Sequence, residues 1–189
     1  MKKVLMLTFF VLLSAFNTAA DEEVTNRVYV QSSEGGAFYV KCVPSEQYGL
    51  AGKTYVYQVA AEKDVLLHAF DWYSPEIYIY GFSGGPVTYV VKFGPWHRGR
   101  EPKKEDLAVA IYKNGELLKE YSTLDFAKDE KNLSVSTGHY TAFSKRLGFR
   151  RPWDNQVLFD VGLNNGTIAS FDMDSGEIWS KEAEALVKR

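Results

Sequence analysis

From Arg27 onward the chain alternates apolar and polar side chains with a period of two. The runs "RVYVQ", "AFYVKCV", "TYVYQVA", "VLLHAF", "EIYIYGF", "VTYVVKF", "LAVAIYK", "ELLKEY", "QVLFDVGL" and "TIASFDM" are short and rich in β-branched and aromatic residues, and Gly, Asn, Asp, Ser or Pro bound them. Successive side chains of a strand point to opposite faces, so this pattern predicts half-buried strands, about 10–12 of them. The linkers are mostly two to five residues long. Parallel neighbours would need crossover helices, for which there is no room, so the strands are expected to pair antiparallel through hairpins.

Parity sets the register of two hairpins. In "IYKNGELL" a two-residue Asn114-Gly115 turn places Lys113 opposite Glu116, Tyr112 opposite Leu117 and Ile111 opposite Leu118. Asn-Gly suits the type I′ turn, which needs positive φ at both central positions. In "VLFDVGLNNGTIASFDM" a two-residue turn would set Phe159 against Asp172. A three-residue loop, Asn164-Asn165-Gly166 with Gly166 left-handed, instead opposes Val161 to Ala169, Phe159 to Phe171 and Val157 to Met173. One residue of slip would turn a buried face to water, which selects the longer loop.

The acidic end of that hairpin, "DMDSGE", poses a choice between a calcium loop and a bend. A calcium loop of the EF-hand kind spaces oxygen ligands at alternate positions before a glycine, with a bidentate Glu further on. Here only Asp172 and Asp174 fall in frame, and Gly176 comes one residue early. A tight Asp-Ser-Gly bend accounts for Asp174, Ser175 and Gly176 without a metal.

Glycine-rich hairpin tips recur at Glu34-Gly35-Gly36, Gly84-Gly85 and Asn165-Gly166, which suggests three sets of about four strands. Closed propellers have about four to eight blades, so three sets predict an open or distorted propeller-like meander, with a β-sandwich or barrel as the alternative. Two short helices are expected. One lies near "STLDFAKDE", where Ser122 or Thr123 can cap it. The other lies at "SKEAEALVKR", where Ser180 caps, Glu182 and Glu184 come early and Lys188 and Arg189 come late.

The hairpin "NGTIASFDMDSGEI" resembles that of a quinoprotein-type β-propeller blade, in which an Asp/Asn-Gly turn, an alternating strand ending in Asp and a Thr/Ser-Gly turn recur. Asn165, Gly166, Phe171, Asp172, Ser175 and Gly176 fit the pattern, and Trp179 falls one position before the place of the blade tryptophan. The succession "YGFSGGPVTYVVKFGPW", "LAVAIYKNGELLKEYSTLDF" and "SFDMDSGEI" is similar to a family of secreted bacterial proteins built from propeller-like strand sets. That resemblance implies an all-β fold and brings no catalytic residue with it.

Ahead of the strands, Lys2 and Lys3 precede the uncharged run "VLMLTFFVLLSAF", and the small residues "NTAA" follow it. This is the order of a secretory signal peptide cleaved after Ala20. Residues 21–189 are then expected to form a single β-rich domain outside the cytoplasm, periplasmic or extracellular, with no membrane insertion once the leader is removed. The whole chain carries a formal charge of −2, and loss of Lys2 and Lys3 makes the remainder more acidic. Such a chain lacks the concentrated positive charge that holds nucleic acid. A single cysteine, Cys42, forbids an internal disulfide, and in "AFYVKCV" it alternates with Phe38 and Val40 as a small buried hydrophobe.

Catalytic and cofactor motifs are missing from the sequence. His68, His97 and His139 are far apart, and none has a second ligand at zinc spacing. There is no G-x-S-x-G, no H-E-x-x-H and no phosphate-binding glycine loop. The unusual loop is "FGPWHRGREPKKED", which gathers Trp96, His97, Arg98 and Arg100 between glycines and prolines. A second cluster, "RLGFRRPWDN", holds Arg146, Arg150, Arg151 and Trp153. Trp and Arg are the residue types most enriched at binding hot spots. The expectation is a non-catalytic binding or scaffold module that holds an acidic peptide, a glycan or another envelope protein on these loops. Two alternatives stand beside it: the tryptophans cap the core while the arginines are solvated, or a hydrolase site pairs His97 or His139 with a carboxylate.

Overall fold

The structure, a computed structural model, describes residues 25–179 apart from 83, 84, 86, 128, 129, 154 and 155, and of Trp153 it describes the backbone alone. The expected leader and the expected helix in "SKEAEALVKR" lie outside the described residues.

All strand pairs are antiparallel, as the short linkers require. The first sheet runs in chain order through β1 (Tyr29–Ser32), β2 (Phe38–Pro44), β3 (Gly52–Gln58) and β4 (Val65–Phe70). β5 (Ile77–Gly81) and β6 (Thr88–Phe93) begin the second sheet. The chain leaves it for the two-residue β7 (His97–Arg98), then returns as β8 (Leu107–Lys113) and β9 (Glu116–Ser122). A one-turn helix, α1 (Thr123–Phe126), and a 3-10 turn at Glu130–Asn132 follow. β10 (Ser134–Val135) and β11 (His139–Thr141) then join β7 in a small sheet ordered β10-β11-β7. The third large sheet is β12 (Phe143–Trp153), β13 (Gln156–Leu163), β14 (Ile168–Asp172) and β15 (Ile178–Trp179), again in chain order. No sheet closes on itself among the described residues, so the fold is an open set of three four-stranded meanders and not a barrel.

The second sheet is the middle layer, and side-chain parity explains why. On β6, Val90 turns toward the first sheet and meets Phe38, Val40 and Val56, whereas Val91 and Phe93 turn toward Phe143, Phe159 and Phe171 of the third. β8 repeats the division, with Ala110 and Tyr112 on one side and Val109 and Ile111 on the other. All six residues of β6 are therefore buried. Lys92 shares Val90's face, and its ammonium lies 4.6 Å from the Trp72 ring centre. Cys42 is wholly buried in the first of these cores, and burial pushes its thiol pKa up.

Both hairpins have the expected turns. Asn114 and Gly115 take φ of 50° and 84°, and Lys113 faces Glu116 and Tyr112 faces Leu117. The third expected pair does not form: a bulge sets Ile111 opposite Lys119. The extra residue turns Leu118 and Lys119 toward the same side, Leu118 onto the core and Lys119 Nζ to 2.9 Å from Glu177 Oε1. In the other hairpin Phe159 faces Phe171 and Val161 faces Ala169, and Met173 N donates to Val157 O at 3.0 Å. Gly166 has φ of 77°.

The segment "DMDSGE" is a bend. Asp172 Oδ1 accepts the amides of Asp174 and Ser175 at 2.9 and 3.0 Å, and Gly176 closes the turn at φ 77°. Asp174 serves a different end, accepting from Tyr89 Oη at 2.6 Å and Lys113 Nζ at 2.8 Å and so tying the third sheet to the second. The helix near "STLDFAKDE" starts at Ser122, whose amide and hydroxyl both donate to the Asp125 carboxylate, at 2.7 and 2.8 Å.

Candidate functional site

The outermost positions of the three large sheets on one side are taken by β1, β5 and β12. A cavity of about 910 Å³ opens where β1 and β5 lie beside each other, within the usual size of a small-ligand site. Tyr29, Val30 and Gln31 all line it, as do Glu76, Ile77 and Tyr78. Consecutive strand residues point to opposite faces, so a wall made of three in a row is the edge of a strand, not its face. Both strands therefore show the cavity their unpaired edges.

The wall is fixed from behind by tyrosines. Tyr73 is fully buried; its hydroxyl donates to Arg27 O at 3.2 Å, and Tyr29 packs edge-on against its ring at 6.3 Å. Tyr29 Oη donates to Ser74 O at 2.9 Å. Asn26 Nδ2 donates to Gly49 O at 2.9 Å, which holds the chain before β1 against the β2–β3 loop. Burial raises the pKa of both Tyr29 and Tyr73. Tyr78 is pushed up to about 12 by burial and by Glu76, to which it donates at 3.2 Å. Glu76 is held in turn by Arg146 Nη2 at 3.0 Å, a guanidinium that also lies 4.8 Å from the centre of the Phe93 ring.

Trp96 stands among the lining residues, half exposed. Its position follows from the residues around it. A Cβ on Gly94 would lie 1.8 Å from Leu107 O, so only glycine lets the loop pass so close to β8, and Gly94 N donates to Ala108 O at 3.1 Å. His97 Nε2 donates to the same Leu107 carbonyl at 2.8 Å. With His97 turned inward, its neighbour Trp96 faces out.

The sequence-predicted residues do not form one site. Trp96 reaches the cavity, but His97 is a fastener: its Nδ1 faces Asp106 Oδ1 at 3.5 Å, and Tyr140 donates to the other oxygen of that carboxylate. A carbonyl only accepts, so Nε2 carries a proton, and the Asp106 carboxylate stands in front of Nδ1, so neither nitrogen faces the cavity. Arg98 is exposed on β7, and Arg100 pairs with Glu130 at 3.2 Å on the surface. Arg150 binds Asp160 and, at 3.1 Å, Ser170 on the third sheet. Arg151 lies 4.8 Å from the centre of the Phe82 ring, and the side chain of Trp153 is outside the described residues. Glu76 stands by the cavity and Phe82 just past the far end of β5. Arg146, at the start of the second arginine cluster, thus reaches the cavity through Glu76, whereas Arg151 sits at the opposite end of β5.

Arg27, Tyr29, Tyr73, Glu76 and Tyr78 also line the cavity, and so does His139, which the sequence offers only as a hydrolase candidate. The only local signal was the tyrosine density of "DWYSPEIYIY". Among the described residues no group of three or more His, Cys, Asp or Glu is placed to hold a metal ion, and no helix is long and apolar enough to cross a membrane. Comparison with protein-family models, curated proteins and solved structures returned no match.

Proposed function

We propose that this chain is a non-catalytic binding module that acts outside the cytoplasm and takes its ligand into the cavity beside β1 and β5. The observation that carries the reading is the cavity itself: about 910 Å³, with Tyr29, Tyr48, Tyr73, Tyr78 and Trp96 in its walls. Aromatic walls with a few polar groups are what a ligand site needs, because they supply rigid apolar area at small entropic cost. A binding role is supported over hydrolysis because two of the groups that could move protons, Glu76 and His97, are committed. Glu76 is tied to Arg146 and Tyr78, and His97 to Leu107 and Asp106. The basic, apolar, small-residue order of the first twenty residues supports export.

The test is amide hydrogen exchange on the purified chain, alone and with fractionated envelope material. Protection confined to 25–31, 73–78 and 95–96 is expected, and Ser136→Trp, which adds a bulky ring to the cavity wall, should weaken it. Protection centred on Arg98 or Arg151 would refute the assignment.

A further inference from the structure

Resting on that reading of the cavity, we infer that its ligand is an extended acidic polypeptide segment, which adds as a strand to the free edge of β1 and sets a carboxylate against Arg27.

The first argument is a comparison of edges. Exposed strand edges invite pairing with another chain, and proteins blunt them with bulges, charges or very short strands. The β4 edge carries a bulge between Val56 and Tyr57, and the β9 edge carries bulges together with Glu116, Lys119 and Glu120. The ladder of β12 is broken at three places, and β7, β10 and β15 are two residues long. β1 and β5 have none of these devices. Both ladders are regular, neither strand bears a charged residue, and both line the cavity. On β1, Val30 is 56% exposed.

The second argument is the account of polar groups. A sugar is gripped chiefly by side-chain donors and acceptors, and those of the cavity are mostly occupied. The hydroxyls of Tyr29, Tyr73 and Tyr78 donate to Ser74 O, Arg27 O and Glu76, and Asn26 is bound to main-chain carbonyls. What stays open is main chain. Among the described residues, the backbone of residues 28–32 makes no bond outside the β1–β2 ladder except that Ser32 O accepts from Gln31 Nε2. Open main-chain donors and acceptors in a row are satisfied by another extended main chain.

Charge supplies the sign. The Glu76 carboxylate is neutralised by Arg146, whereas no carboxylate pairs with the Arg27 guanidinium among the described residues. Arg27 stands two residues before β1, where Tyr73 Oη holds its main chain, so an added strand that runs past the start of β1 brings a side chain beside it. An acid there gains a charge-assisted bond. The side chain two positions on falls opposite Tyr29, and Trp96 lines the same cavity.

The experiment uses immobilised purified chain and three synthetic heptapeptide libraries, each randomised at six positions. One has glutamate fixed at the fourth position, one has glutamine there, and one has the glutamate with alternate main-chain nitrogens methylated. Retention of the glutamate library at least ~10-fold above the glutamine library is expected, with the methylated library washed away. Arg27→Ala should reduce the glutamate preference to under ~2-fold while leaving the melting temperature unchanged, since the Arg27 side chain is exposed. Equal retention of the glutamine library, retention of the methylated one, or no retention overturns the inference. A uronic acid tetrasaccharide forms the control arm. If it protects the cavity amides while no peptide is retained, the peptide assignment fails and the cavity reading survives. If peptides are retained without protecting those amides, both fail.

Discussion

Glu76 and Arg146 meet 3.0 Å apart across the gap between the second and third sheets, and the Arg146 guanidinium rests on the Phe93 and Phe143 rings while donating to Phe143 O at 3.0 Å. Removing the arginine takes away the pair, the ring contact and the carbonyl's donor together, and leaves a half-buried carboxylate. Arg146→Ala should therefore cost about 2–3 kcal/mol in urea unfolding. Glu76→Gln, which keeps a hydrogen-bonding side chain, should cost about 1.

Gly94 has no room for a methyl group against Leu107 O. Gly94→Ala must push the loop off β8, break the Gly94–Ala108 hydrogen bond and move Trp96. A loss of about 3 kcal/mol is expected, with a shifted Trp fluorescence maximum in the folded state.

Trp96 is 49% exposed and Arg98 is exposed, so neither is needed to hold the fold. The double substitution Trp96→Ala, Arg98→Ala should change stability by less than about 1 kcal/mol. Trp96→Ala alone should account for whatever ligand binding the double variant loses, because Arg98 does not line the cavity.

Burial lowers the pKa of His68, whose Nε2 lies 3.0 Å from Thr88 Oγ1. A histidine with a depressed folded pKa is neutral in the fold and more readily protonated when unfolded. Its contribution is complete above the unfolded value of 6.5 and falls away as the pH drops through the folded value. His68→Gln should flatten the decline of the melting temperature below pH 6.5, relative to the parent chain.

At Asp174, burial would raise the pKa, but the Lys113 and Tyr89 hydrogen bonds outweigh it and the net shift is downward. The stabilisation is present above the ordinary carboxylate value of 3.8 and is lost as the pH falls through the folded one. The side chain is 46% exposed, and solvent screening keeps the effect below about 1 kcal/mol. Asp174→Asn should lower the melting temperature slightly at neutral pH and not at all in strong acid. Added calcium should leave both forms unchanged, since Asp172 and Asp174 already hold protein donors.

Alternation made the strands legible and, by parity, the longer loop at Asn164-Asn165-Gly166, while the recurring glycine-rich tips showed the three-by-four grouping. It did not show the bulge that sets Ile111 opposite Lys119, because the two-residue turn was extended down β9 at constant phase, whereas Leu118 and Lys119 fall on one side and shift it. Trp96 stood out by composition, and so did Arg98, Arg150 and Arg151. Composition, though, does not reveal whether an arginine faces a ligand or a neighbouring Asp160, Ser170 or Phe82. The cavity was hidden for a further reason: Arg27, Tyr73, Glu76 and His139 come from segments with no shared motif, and only the stacking of the sheets brings them together.

Val90 and Phe93, three residues apart on one strand, look into opposite halves of the interior. A nascent chain that has not yet delivered β12 to β15 must carry Tyr89, Val91 and Phe93 against water, and no two-thirds version of the molecule can hide them. A chain cut short before Phe143 should therefore be markedly less stable than the whole and show an apolar sheet face to solvent.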